Sequence, residues 1–372
     1  MSTESGAARM RAPRERPSGA GRLGIVVRVA TVTLFAVVPA LTLGTMLAVG
    51  WSDDSLAADF HHEIYPQAKE LLAGRNPYPP PEFHVVGSNF IWPPLVAYGL
   101  APLTLLPATA ADLLMVALGL VCFALSLWLL GVRDWRVYGV VAMWPEVASE
   151  MRVAHLTAPI CLLVVIAWRS RDAGLRAPLA VGLATALKFF VWPVGIWLAA
   201  RRGLGTAALA ACVVGASLLL LLPITPIDDY VRSLIQLGRG FDQDSYTLFG
   251  LLVQSGASEA AGRAAAVIVG TALLVATWRY RSLALAVAAA LTLSPIVWLD
   301  YFSLAMIPLA IARPRLSPVW LLPLATWGMS GAGLGIGDAA DIARLLLVFS
   351  VVFAVAFHGE PERARRAAPA IP

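Results

Sequence analysis

The chain has 372 residues, 59% of them hydrophobic and 14% charged, with a net charge of +5 and a mean hydropathy of +0.74. Soluble domains carry about 25% charged residues, so this composition excludes a water-soluble enzyme and points to a bilayer. The Arg residues gather at the ends of apolar runs, as the positive-inside rule expects, which excludes a nucleic-acid-binding role.

The apolar runs are long and rich in Leu, Ala and Val, without the alternation of a membrane barrel, so the predicted class is all-α. Residues 1–22, rich in Arg, Pro and Gly, read as a disordered basic cytoplasmic tail. The run Leu23 to Gly50 is longer than the roughly 7–15 residues of a signal-peptide core and is predicted to be an uncleaved first span. Residues 51–90 form the first extracytoplasmic loop, with Asp53, Asp54, Asp59, Glu63, Glu70 and Glu82 against only Lys69 and Arg75. Inside it, Pro66 suits a first helical turn and Gly74 a helix stop, so Gln67 to Ala73 is predicted to be a short helix resting on the membrane surface.

Further along, Arg279/Arg281, Arg313/Arg315 and the tail from 358 to 372 place the C-terminal half, with the C-terminus cytoplasmic. The middle does not close. Arg133/Arg136, Arg169/Arg171/Arg176 and Arg201/Arg202 all belong inside, yet the apolar runs between Ile91 and Trp168 have the wrong parity. Several are short, near 91–107, 136–149 and 176–187. A single domain over 23–357 with about 12 membrane segments, some short or re-entrant, is the resulting expectation. The run 177–200 has Arg on both flanks and reads as a re-entrant hairpin with Lys188 near its turn. An intramembrane Lys costs roughly 2.5–3.5 kcal/mol on insertion scales and calls for a partner such as a lipid phosphate.

Asp59 is the candidate general base, a carboxylate held just outside the membrane that can take a proton from an attacking hydroxyl. Lys188, Arg152 and His155 are candidates for binding an anion such as a phosphate, and His62, Glu63, Tyr65, Tyr78, Trp298, Asp300 and Tyr301 are candidates for further substrate contacts. Asp228, Asp229, Tyr230, Arg232, Arg239, Asp242 and Asp244 form a second outer loop that could close over substrate. Trp92, Trp144, Trp192 and Trp298 read mostly as interface anchors. Asp53, Asp54, Asp59, His61, His62 and Glu63 match no metal-ligand spacing, so no metal is predicted. No Gly-rich phosphate loop follows a strand, and no cofactor is predicted.

Several motifs together resemble glycosyltransferase family 87. They are Asp59, Tyr65, Ala68, Leu71-Leu72, Gly74, Pro77-Tyr78, Trp92-Pro93-Pro94-Leu95 and Leu106-Pro107, then Gly182-Leu183-Ala184 with Lys188, Pro193 and Arg201-Arg202, then Ser294-Pro295 with Trp298. The resemblance implies a GT-C-type membrane enzyme that moves a sugar, most often mannose, from a polyprenyl-phosphate-sugar to a glycolipid or glycan acceptor. It further implies Asp59 as base, inversion at the anomeric carbon, and an extracytoplasmic site in a bacterial plasma membrane. An arabinofuranosyltransferase using polyprenyl-phosphate-arabinose, or a non-enzymatic glycolipid flippase, are the alternatives. The chain departs from the family pattern in having Ala154-His155 in place of Gly-Gln, and Asp300-Tyr301 in place of His.

Overall fold

The computed structural model describes residues 18–53, 55–78, 92–241, 245–329 and 337–366, and among them only helices and connecting turns occur. The protein is a polytopic helical membrane protein. Most of the predicted basic tail, Asp54, Glu82 with the Pro run before it, and Asp242 and Asp244 lie outside the described residues.

The first span runs through α1 (Ser18–Val32), a π-helical turn and α2 (Val38–Ser52). It faces lipid along nearly its whole length. It touches the bundle where α6 crosses it: a Cβ on Gly139 would sit 1.9 Å from the Phe35 carbonyl oxygen, so only glycine allows this approach. After it come α3 (Tyr65–Leu72), α4 (Pro94–Leu100), α5 (Ala108–Leu129), α6 (Trp135–Ala142), α7 (Pro145–Val153), α8 (Thr157–Arg169), α9 (Arg176–Leu187) and α10 (Pro193–Arg202). The rest comprises α11 (Leu204–Leu218), α12 (Ile227–Phe241), α13 (Leu248–Gln254), α14 (Glu259–Tyr280), α15 (Leu283–Leu293), α16 (Met306–Ala312) and α17 (Ala339–Arg366). Among the described residues five helices are long and apolar enough to cross a bilayer; α7 and α8 reach that length only as a pair, and the pair is bent by 118° at the break between them.

The basic loops gather at one end of the bundle. Asp134 accepts the Leu316 N–H, tying the loops around Arg133 and Arg315 together. Arg136 donates to Asp134 and holds its carboxyl down at about 2. Glu360 accepts from Ser282 Oγ at 2.6 Å and from the Leu283 N–H at 2.9 Å, so the last helix caps the first turn of α15 at this same end. Asp59 lies at the opposite end, called here the site end.

Two short segments resolve the parity of the middle. The run 92–107 begins at Trp92, whose indole N–H donates to Glu63, and ends near Leu106, whose carbonyl accepts from Tyr65. Both ends are pinned to one short loop helix, so this segment dips and returns without crossing. The chain then crosses through α5, returns through the short pair α6 and α7, and crosses again through α8. The second short segment is the predicted hairpin. Arg202 donates to the Gly174 carbonyl at 2.9 Å and Arg201 lies 3.4 Å from Asp172. A straight helix over residues 174–202 would put those ends about 42 Å apart at 1.5 Å per residue. Instead α9 and α10 fold back on each other, and Lys188 stands at the break between them.

Candidate active site

Four breaks in helical structure meet at the site end, and each delivers one charged side chain. The first follows Ala57, which has φ +52°; Asp59 then starts a π-helical turn, Phe60–Ile64, anchored by the fully buried Phe60 and Ile64. The second lies between α7 and α8. His155 sits between Ala154 (φ +53°) and Leu156 (φ +65°), two left-handed non-glycine residues that force the 118° bend. Such strained conformations cost of order 1–3 kcal/mol each and tend to mark functional sites. The third break is at Lys188. The fourth follows Ser294–Trp298, after which Asp300 opens a 3₁₀ segment, Leu299–Ala305.

The four groups form one connected array. His155 Nε2 lies 3.1 Å from Asp59 Oδ2, and His155 Nδ1 lies 3.2 Å from Asp300 Oδ2. Thr157 Oγ1 donates to the same Asp300 oxygen at 2.5 Å. Lys188 Nζ donates to the His155 carbonyl at 3.2 Å, which ties the two helix breaks together. The Lys188 ammonium stands over the rings of Tyr301, at 4.0 Å, and Trp92, at 4.6 Å. Cation–π contacts of this kind contribute roughly 0.5–2 kcal/mol each once desolvated. Phe190 stacks on Tyr301 at 4.5 Å and fixes that ring.

Burial grades the array. The Asp59 side chain is 29% exposed, that of His155 8% and that of Asp300 1%. Each imidazole nitrogen faces a carboxylate oxygen. The second Asp59 oxygen stays available at the exposed end. Glu63 lies beside Asp59 and accepts from Trp92 Nε1 at 3.1 Å. Burial, reinforced by the Asp59 charge, pushes its carboxyl up to about 7. A carboxylate that can accept a proton, next to a buried cation, can serve a reaction that deprotonates a hydroxyl and releases an anion.

The structure brings Asp59, Glu63, His155, Lys188, Asp300 and Tyr301 of the predicted residues into this array. Tyr78 joins it from above: its hydroxyl donates to the Trp92 carbonyl at 3.1 Å, and its ring meets Tyr230 edge-on at 5.2 Å. Tyr65 is placed otherwise, buried with its hydroxyl on Leu106. His62 is exposed against the His61 ring. Arg152, half-buried, makes no ion pair or hydrogen bond to the array among the described residues. Trp298 is half-buried against the core, two residues before Asp300. Among the described residues no three His, Cys, Asp or Glu side chains form a group that could hold a metal ion.

Two participants were not among the site residues read from the sequence. Trp92 is 6% exposed and contacts Glu63, His155 and Lys188, rather than anchoring at the membrane interface. Thr157 is an ordinary first-turn residue until the fold sets Asp300 against it. Trp144 also differs from the interface reading, being fully buried with its N–H on the Trp320 carbonyl.

The sequence profile of glycosyltransferase family 87 matches residues 90–308, more than half of the chain. No curated protein and no solved structure matches.

Proposed function

The chain belongs to glycosyltransferase family 87, and from that premise we propose that it transfers a sugar, mannose first, from a polyprenyl-phosphate-sugar to a glycolipid or glycan acceptor. The observation that carries this reading is the graded array in which Asp59 is the exposed member beside the buried Lys188. Asp59 takes the proton of the acceptor hydroxyl while that oxygen attacks the anomeric carbon. The bond from the anomeric carbon to the phosphate oxygen breaks, and the polyprenyl phosphate leaves with the electron pair. Attack opposite the leaving group inverts the anomeric centre. The phosphate is already a good leaving group, so the protein's task is to place the hydroxyl and to stabilise the released charge. Lys188 supplies that charge, and the Trp92 and Tyr301 rings hold its ammonium in place. His155 orients Asp59, and Asp300 with Thr157 orients His155. The site lies on the extracytoplasmic side, opposite the basic loops.

The test is transfer by the purified protein in lipid nanodiscs, with polyprenyl-phosphate-mannose and polyprenyl-phosphate-arabinose as donors and a panel of glycolipid acceptors. Asp59→Asn is expected to lower kcat by about 10²–10⁴-fold, the usual contribution of a general base. Undiminished transfer by a folded Asp59→Asn protein would move the base elsewhere. Transfer from the arabinose donor alone would reassign the sugar.

A further inference from the structure

Helix α12 has three faces. At about 100° per residue, Tyr230, Ser233 and Leu237 fall on one side, and these are buried or half-buried against the protein. Asp228, Arg232 and Gln236 fall on a second side. A third sector carries Ile227, Val231 and Ile235, spaced four residues apart, and all three are exposed, at 42%, 44% and 51%. A soluble helix packed on a protein shows two faces, one dry and one polar. A separate, exposed apolar stripe between them requires an apolar neighbour.

The surroundings of the stripe identify that neighbour. The span Leu204–Leu221 leads directly into this segment and is mostly uncovered by protein. Leu219 in its last turn and Leu222 just beyond it are exposed, and the chain then turns through Pro223 and Pro226 into α12. The stripe therefore extends a lipid-facing surface. Charge argues against a charged macromolecule on the polar side, because Arg232 is already paired with Asp228, at 3.0 Å, and with Asp229.

We infer that α12 is an interfacial helix lying in the leaflet on the site side, with Ile227, Val231 and Ile235 seated among lipid chains and Tyr230 held against Tyr78. Its occupant is the bilayer, and the protein face of the same helix bears on the site through Tyr230, Tyr78 and Trp92. Membrane seating thus fixes the height of α12 above the array.

The inference concerns where the helix lies, and its test needs no transferase activity. Cys122 and Cys161 are buried and Cys212 is exposed. In a Cys212→Ser background, Ile235→Cys and, separately, Val231→Cys are labelled with an environment-sensitive fluorophore in the full chain in nanodiscs. Arg232→Cys serves as the polar-face control. The stripe labels are expected to emit to the blue of the control and to lose fluorescence to doxyl-labelled lipid, while the control loses fluorescence to a water-soluble nickel quencher. Stripe labels quenched by nickel as strongly as the control would overturn the inference. So would stripe labels shielded from both quenchers, since a protein surface would then cover the helix. Using two stripe positions keeps the test decisive if one variant fails to fold.

Discussion

Removing the imidazole of His155 tests whether Asp59, His155 and Asp300 act as one unit. In His155→Gln the carboxylate of Asp300, 1% exposed, loses its imidazole partner at 3.2 Å and keeps the hydroxyl of Thr157. Breaking a buried ion pair by deleting one partner costs about 3–5 kcal/mol, because the remaining charge stays desolvated. Thr157 and the nearby Lys188 ammonium lessen that cost, so a loss near the lower figure, about 3 kcal/mol, is expected. Asp300→Asn removes one charge-assisted hydrogen bond but leaves His155 its contact with Asp59, so about 1.5–3 kcal/mol is expected.

The double substitution leaves no buried unpaired charge at either position. Its cost is expected to fall short of the sum of the single costs by about 2 kcal/mol, well above the roughly 0.3–0.5 kcal/mol scatter of independent sites. Reversible unfolding in bicelles, at fixed protein and lipid concentration, measures all four corners of the cycle. Transfer activity separates structure from positioning. Stability is expected to recover in the double variant while kcat stays low, because neither amide can hold Asp59 as the imidazole does. Additive stabilities would refute the coupled array, and recovery of kcat together with stability would refute the positioning role of His155.

Glu63 gives a pH signature. Its carboxyl is pushed up to about 7 from 4.5, so the folded protein holds a proton there that the unfolded chain releases. The stability this contributes is full below about 4.5 and is lost as pH rises through about 7; Glu63→Gln is expected to flatten unfolding profiles across that window. In transfer assays, ionised Glu63 adds a negative charge beside the donor phosphate, so KM for the donor should rise above pH 7 in the parent and not in Glu63→Gln. Gly182→Ala tests the packing of α9 on α11: the added Cβ would sit 2.6 Å from Val213 Cβ and 2.8 Å from the Ala210 carbonyl oxygen. Overpacking of this kind costs about 1–3 kcal/mol, against about 1 kcal/mol gained in helix propensity, so a lowered Tm is expected and a raised one would refute close packing of α9 on α11.

The membrane class, the loop helix after the first span and the hairpin around Lys188 were legible because composition, Pro66, Gly74 and paired Arg flanks act locally. Gly74 stops the loop helix with φ +73°. The parity of the middle was not legible, because what keeps 92–107 on one side is long-range: Trp92 on Glu63 and Leu106 on Tyr65. The pairing of His155 with Asp300 spans 145 residues. Each looked like an isolated departure from a family pattern. Together they are complementary, since Asp300 beside a lipid phosphate would repel it, whereas Asp300 behind an imidazole holds that ring through Nδ1. Arg152, a charge in the same local setting as His155, does not reach the array, which shows that sequence proximity to a break does not give side-chain direction.

The placement of the charges follows from the physics of the bilayer. A helix satisfies its own backbone groups and presents side chains to lipid, where an ionised group is costly. A break frees backbone groups and opens space that protein must fill, so it is where polar side chains become tolerable. Here the carbonyl of His155, in the break between α7 and α8, accepts from Lys188 in the break between α9 and α10. The break and the charge stabilise each other: Lys188 satisfies a carbonyl that no helix covers, and that carbonyl offsets part of the cost of burying the ammonium. Straightening either break would leave both groups unpaired. That mutual dependence explains why these two interruptions of helical structure meet at one place; the exposed member of the array, Asp59, is the one carried on the loop after the first span.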